Sequence, residues 1–121
     1  MRQLWGETLH GVPKGKTSAF SNYTNTTKKS IPGLIFVSGT AWAKGKQNFI
    51  NLQIFLNGSS IGEVSIFANV ANTHMTLPAF ITADSGAITL PPGPNTIEIR
   101  PVGSLTMFDQ NDFAQVVWFA L

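Results

Sequence analysis

The sequence predicts an all-β protein, a single-domain antiparallel β-sandwich of jelly-roll type with about 8–10 short strands. Three observations predict it. Apolar, strand-like runs recur at spacings of ~8–12 residues and are cut by Gly, Pro and Asn turns. No window long enough to matter shows the roughly 3.6-residue period of a helix. The chain closes on F-D-Q-N-D-F-A-Q-V-V-W-F-A-L, an aromatic strand entered through an Asp/Asn corner.

The elements follow in order. Residues 1–16 read as an arm, because Gly6, Gly11, Pro13 and Gly15 break any regular element. Residues 17–30 suit an exposed edge strand, with Lys28 and Lys29 discouraging stray pairing. The expected division is therefore 1–30 as an extended basic arm and edge strand, and 31–121 as the sandwich. Pro32-Gly33 reads as a turn before L-I-F-V-S-G-T-A-W, a strand apolar on both faces at its start. Lys44-Gly45-Lys46 reads as a turn. Residues 49–56 alternate cleanly, with Ile50, Leu52, Ile54 and Leu56 on one side and Phe49, Asn51, Gln53 and Phe55 on the other. Asn57-Gly58 is the strongest short-range hairpin signal, and I-G-E-V-S-I-F returns from it. A loop spans 68–75, and L-P-A-F-I-T is a short strand. G-A-I-T-L runs into the stiff corner Pro91-Pro92-Gly93-Pro94. N-T-I-E-I-R, L-T-M-F and F-A-Q-V-V-W-F-A-L complete the set.

Composition narrows the function classes. A chain of 121 residues buries a core without staples, and it has no Cys for disulfides or thiolate metal sites. The charged fraction is 12%, against about 25% in ordinary domains, which fits a surface that touches other protein. Residues 1–46 carry seven basic residues against Glu7 alone, and residues 47–121 carry Arg100 against five acids, so +6 faces −4. A basic arm docking on an acidic surface follows from that asymmetry. The first residues lack the apolar run of a signal peptide, and no stretch approaches the ~18–20 apolar residues of a membrane helix. The expectation is folding in a cytoplasm with no membrane contact. Eight basic residues spread over loops make nucleic-acid binding a poor fit.

Catalytic constellations are thin. The two histidines are His10 in the broken arm and His74 in an Asn/Thr loop, and there is no nucleophile elbow. The expectation is no enzyme and no cofactor. Asp109, Asn111 and Asp112 offer oxygens for Ca²⁺ but lack the glycine and terminal Glu of a helix-loop-helix calcium site. An Asx turn that swings the chain into its last strand explains them without a metal. In that strand Phe113, Val117 and Phe119 face one side, and Val116 and Trp118 the other. Phe113, Val117, Trp118 and Phe119 are the candidate oligomer contact.

From Ile31 to Leu121 the chain resembles the small jelly rolls of tumour necrosis factor and complement heads. The residues that carry this are Pro32-Gly33-Leu34, the hairpin Leu56-Asn57-Gly58, the loop with Asn72-Thr73-His74, P-P-G-P-N-T-I-E-I-R at 91–100, and Asn111-Asp112-Phe113. The same layout occurs in tailed-bacteriophage decoration (cement) proteins and fibre-tip domains. The resemblance implies a homotrimer with an aromatic and aliphatic axis. It points to a virion protein that decorates a capsid, with the major capsid protein or another virion protein as partner. Arg2, Trp5, Leu9, Lys14 and Lys16 would then be anchors in the arm, and removing residues 1–16 would leave the sandwich folded but unattached. The alternative is a receptor- or glycan-binding head of a fibre or surface adhesin.

Overall fold

The computed structural model describes residues 1–10, 12, 18–82 and 88–121. Among these are eleven strands: β1 Arg2–His10, β2 Ala19–Asn25, β3 Ile31–Ala43, β4 Asn48–Leu56, β5 Ser59–Ala68, β6 Met75–Thr76, β7 Phe80–Ile81, β8 Ile88–Leu90, β9 Gly93–Pro101, β10 Thr106–Met107 and β11 Phe113–Ala120. The count exceeds the expected 8–10 because β6, β7 and β10 are two-residue bridges. One sheet runs β1-β11-β3-β10, with β6, β7 and β8 also pairing β3; the other runs β2-β9-β4-β5. Every pairing is antiparallel. No helix among the described residues is long and apolar enough to cross a membrane.

The core lies between the sheets. Period-2 alternation turns Ile50, Leu52, Ile54 and Leu56 of β4 inward, as their spacing predicts. They meet Ile35 and Val37 of β3, Ile97 and Ile99 of β9, and Val116 and Trp118 of β11. Each fully buried aliphatic side chain stabilises the fold by ~1.5–3 kcal/mol. Asn57 and Gly58 take φ of 49° and 84°, the left-handed pair that a two-residue hairpin demands. The Asn57 side chain then ties the hairpin to β9: Nδ2 donates to Asn95 Oδ1 at 2.9 Å, and Oδ1 accepts from the Thr96 N–H at 2.8 Å. Fully buried Asn95 spends its own amide on the Pro91 and Gly93 carbonyls, which fixes the proline corner.

Two readings of the sequence need correction. Pro32-Gly33 is not a turn but part of β3. Pro32 has no N–H to offer, yet its carbonyl accepts from the Leu121 N–H at 3.0 Å. Gly33 sits in a close approach, since a Cβ there would stand 3.0 Å from the Leu90 side chain and 3.2 Å from the Phe119 carbonyl. The second correction concerns the arm. Arg2–His10 form β1, paired with β11 from Arg2↔Ala120 to His10↔Phe113, and Ala19–Asn25 form β2, paired with β9. The sandwich therefore includes residues expected outside it. Glycine weakens a strand without forbidding it, and β1 needs only alternate side chains to reach the core. A register shift between Gln3 and Trp5 makes Leu4 the extra residue of a bulge.

Candidate functional site

Two features gather the residues that the sequence singles out: the corner before β11 and the outer face of the sheet that contains it. At the corner, a turn held by the Asp112 N–H donating to the Asp109 carbonyl at 3.0 Å brings the chain into β11. The Asp109 side chain accepts from the Asn111 N–H at 2.9 Å, the Asx turn that the sequence predicts. Its second oxygen accepts from the Trp42 indole N–H at 2.9 Å. Asp112 is fully buried. Its Oδ1 accepts from the Thr40 hydroxyl at 2.9 Å and lies 2.6 Å from His74 Nδ1; its Oδ2 accepts from the Asp109 N–H at 2.9 Å. The Trp42 and His74 rings sit 5.6 Å apart.

His74, Asp109 and Asp112 place one possible ligand atom each within 4.8 Å of one another. His74 thus joins the two aspartates that the sequence singles out. Every carboxylate oxygen of the pair already meets an N–H or O–H donor or the imidazole, so the donors satisfy the charge that a cation would otherwise balance. Thr40 is also engaged in both directions, donating to Asp112 and accepting from the Phe113 N–H at 3.2 Å. It is not a free nucleophile. The arrangement is a structural clasp joining β3, the 69–74 loop and β11. EDTA should leave the melting temperature unchanged, whereas Asp112→Ala should cost ~2–3 kcal/mol by stranding its donors. Thermal melts with and without EDTA and Ca²⁺ check both; a Ca²⁺-restored drop of several degrees would make the corner a metal site.

The outer sheet face is different in kind. Phe113, Val117 and Phe119 lie on it by alternation, and Val117 stands opposite Phe36, with Ile81 on the far side of Phe36. Phe119 stands opposite Leu34. Ile81 is 48% exposed and Phe113 43%, while Leu34, Phe36, Val117 and Phe119 are half-buried. Ser38 and Gln115 continue the face, and none of these residues is charged. Trp118 does not belong here. It is fully buried, donates its indole N–H to Ser21 Oγ at 2.9 Å, and lies 5.9 Å from the Tyr23 ring. A strand apolar on both sides has one side for the core and one for something else, and Trp118 is on the core side.

No protein-family model matches the sequence, nor does any curated protein. Among solved structures, the chain is similar to the Eiger TNF from S. frugiperda, with 9% identity, 99% of this chain and 94% of that one covered, and a TM-score of 0.55. It is also similar to dimeric latent PorU from Porphyromonas gingivalis, at 8% identity and a TM-score of 0.53, where it covers 100% of its own length and 13% of that chain. A family 35 carbohydrate binding module from Clostridium thermocellum gives 10% identity, 96% and 92% coverage, and a TM-score of 0.49. The fold is a jelly-roll β-sandwich.

The expected arm anchors fall on this jelly roll as follows. Arg2 and Trp5 are exposed, and half-buried Leu9 packs on the core. Lys14 and Lys16 lie outside the described residues. Glu7 is the residue of β1 that the sequence did not single out. Its carboxylate accepts from the Ser21 hydroxyl at 2.5 Å, the Asn22 N–H at 3.3 Å and the Trp5 indole at 3.4 Å, linking the two sheets at their edge. The second sheet has a mixed outer face. Phe20, Phe49 and Phe67 are exposed, and Phe49 and Phe67 meet edge-on at 5.3 Å. Arg100 covers the Phe55 ring at 4.2 Å and pairs with Glu98 at 2.8 Å. That guanidinium holds the Glu98 carboxyl below its ordinary range, against an opposing push from partial burial.

Proposed function

We propose that the protein is a non-enzymatic, homotrimeric binding head, which meets its own copies through the outer face of β1, β11 and β3. It would present its remaining surface to a receptor or glycan. The observation that carries this reading is the uncharged apolar row Val117, Phe36 and Ile81 across three strands, bordered by Phe119 and Leu34. A sheet face of that composition is depleted of charge in the way that interface cores are. The mixed aromatic and polar face of the other sheet stays free for a ligand. Trimerisation multiplies a weak single-site contact, because linked sites bind with an effective concentration set by geometry.

Capsid decoration, the other expectation, leans on a detachable basic arm. Arg2–His10 are instead sheet residues, which favours the binding head over an attachment that needs those residues free.

The test has two steps. Light scattering at micromolar concentration should give three times the 13.1 kDa chain mass, and Phe36→Asp should give a folded monomer by circular dichroism. On a glycan array and on cell surfaces, the trimer should then outbind the monomer by ~10²-fold or more. A monomeric parent protein would sink the trimer. A trimer that binds no glycan or cell surface, yet loads onto phage particles, would restore decoration.

A further inference from the structure

The edge of the second sheet carries a feature that the proposed function does not use. Among the described residues, β5 pairs only with β4, so its other side is an open ladder of backbone N–H and C=O groups. Natural edges of this length are blunted by Lys, Pro or a bulge. Here the register shifts between Ile54 and Phe55, which leaves Ile61 as an extra residue, and that bulge protects only the start of the strand. From Gly62 to Ala68 the edge contains no Lys and no Pro, and Glu63 is its single charge.

Behind this edge lies a groove of about 620 Å³, lined by Glu63, Val64 and Ser65 on one side and by Pro78, Ala79, Phe80 and Ile81 on the other. The chemistry of its two walls differs. Val64 stands opposite buried Leu52 and turns inward, while Glu63 and Ser65 stand opposite Gln53 and Asn51 and turn out. Phe80 closes one end by lying directly on Gly62, whose φ of 151° and lack of a side chain allow that contact.

We infer that the outer edge of β5 receives an extended peptide strand from a protein partner, with an apolar side chain opposite Val64 and a basic one beside Glu63. The ladder itself names the class of occupant. Only an extended backbone offers alternating donors and acceptors at the ~3.3 Å spacing of a strand. The groove takes the side chain that alternation sends inward, and Glu63 selects the charge of its neighbour. A second copy of β5 is a poorer occupant, because two-fold antiparallel pairing about Val64 sets both Glu63 carboxylates on one face of the joint ladder. The edge itself belongs to the sheet opposite the proposed self-contact, and Ile81 is the one groove residue that also lies in the row assigned to that contact.

The probe is the blocked heptapeptide Thr-Thr-Lys-Val-Lys-Thr-Thr, which places lysine beside the central valine in either strand direction. Titration calorimetry and amide exchange on the intact protein are the readouts. Saturable binding is expected, together with new protection of alternate β5 amides. Methylating the peptide nitrogens in one alternate phase should abolish binding, and methylating the other phase should leave it intact, because only one phase faces β5. Glu63→Lys, at an exposed site, should stay folded, bind this peptide several-fold more weakly, and bind a Glu-for-Lys version more tightly. Absence of saturation at millimolar peptide, or equal affinity for the two methylated phases, would overturn the inference. So would β5 amides already protected in the free protein by a second copy. None of these outcomes depends on whether a glycan or cell surface is bound elsewhere.

Discussion

Deleting residues 1–10 should unfold the protein. The shortened chain is expected to lose its cooperative melt and its near-ultraviolet circular dichroism signal, and to aggregate at micromolar concentration. The reason is where those residues sit. β1 pairs β11 at eight positions from Arg2 to His10, and each ladder hydrogen bond contributes about 0.5–1.5 kcal/mol net. Leu4 and Leu9 cover the core. Glu7 holds Ser21, whose hydroxyl oxygen in turn accepts from the Trp118 indole. The sum is comparable with the whole ~5–15 kcal/mol that keeps a domain folded. It would also bare the long apolar edge of β11, an open template for aggregation. The arm expected from the sequence predicts the opposite, a folded sandwich that no longer attaches. A deletion variant that melts within a few degrees of the parent would show that β1 is dispensable.

Trp118→Ala should be the most damaging single substitution. The side chain is fully buried between the sheets, and truncating a buried aromatic costs ~3–5 kcal/mol in lost transfer energy and residual cavity. Ser21 would also lose its indole donor. The expected fall in melting temperature is roughly 10–20 °C. Phe119→Ala, one residue along and on the other face, should lower self-association with little effect on the monomer's own stability. Differential scanning fluorimetry and light scattering on the two variants separate core from contact. Equal effects on melting from both would mean that the outer face is part of the folding core and not a docking surface.

These neighbouring residues also mark what can be read from a sequence. Alternation assigns Phe119 and Trp118 to opposite faces of the last strand, and the structure agrees. Alternation alone does not say which face is inside when both are apolar. By sequence alone Trp118 therefore reads as a contact residue, whereas in the fold it packs against Tyr23 and Ser21. The hairpin at Asn57-Gly58 and the inward row of β4 were legible because their signals are local. The clasp around Asp112 was legible only in its Asx turn. Thr40, Trp42 and His74 reach it from strands and loops up to 72 residues away, and nothing in their own neighbourhoods announces it. β1 is hidden in the sequence for a related reason. Gly6 and a polar composition argue against a strand locally, and the case for one is made by β11 at the far end of the chain.

That last pairing sets the order of events when the chain folds. The strand that begins at Arg2 finds its partner in the one that ends at Ala120, a pairing between strands far apart in sequence. Closure of the sheet has to span nearly the full chain and carries the entropic cost of the longest loop. Local hairpins such as β4–β5 form on the microsecond scale, whereas a sheet closed by its two extremes belongs to the slow class of non-local β topologies. Until β1 docks, the flank of β11 that faces it is an unpaired edge open to strands of other molecules, and docking of β1 is what covers it.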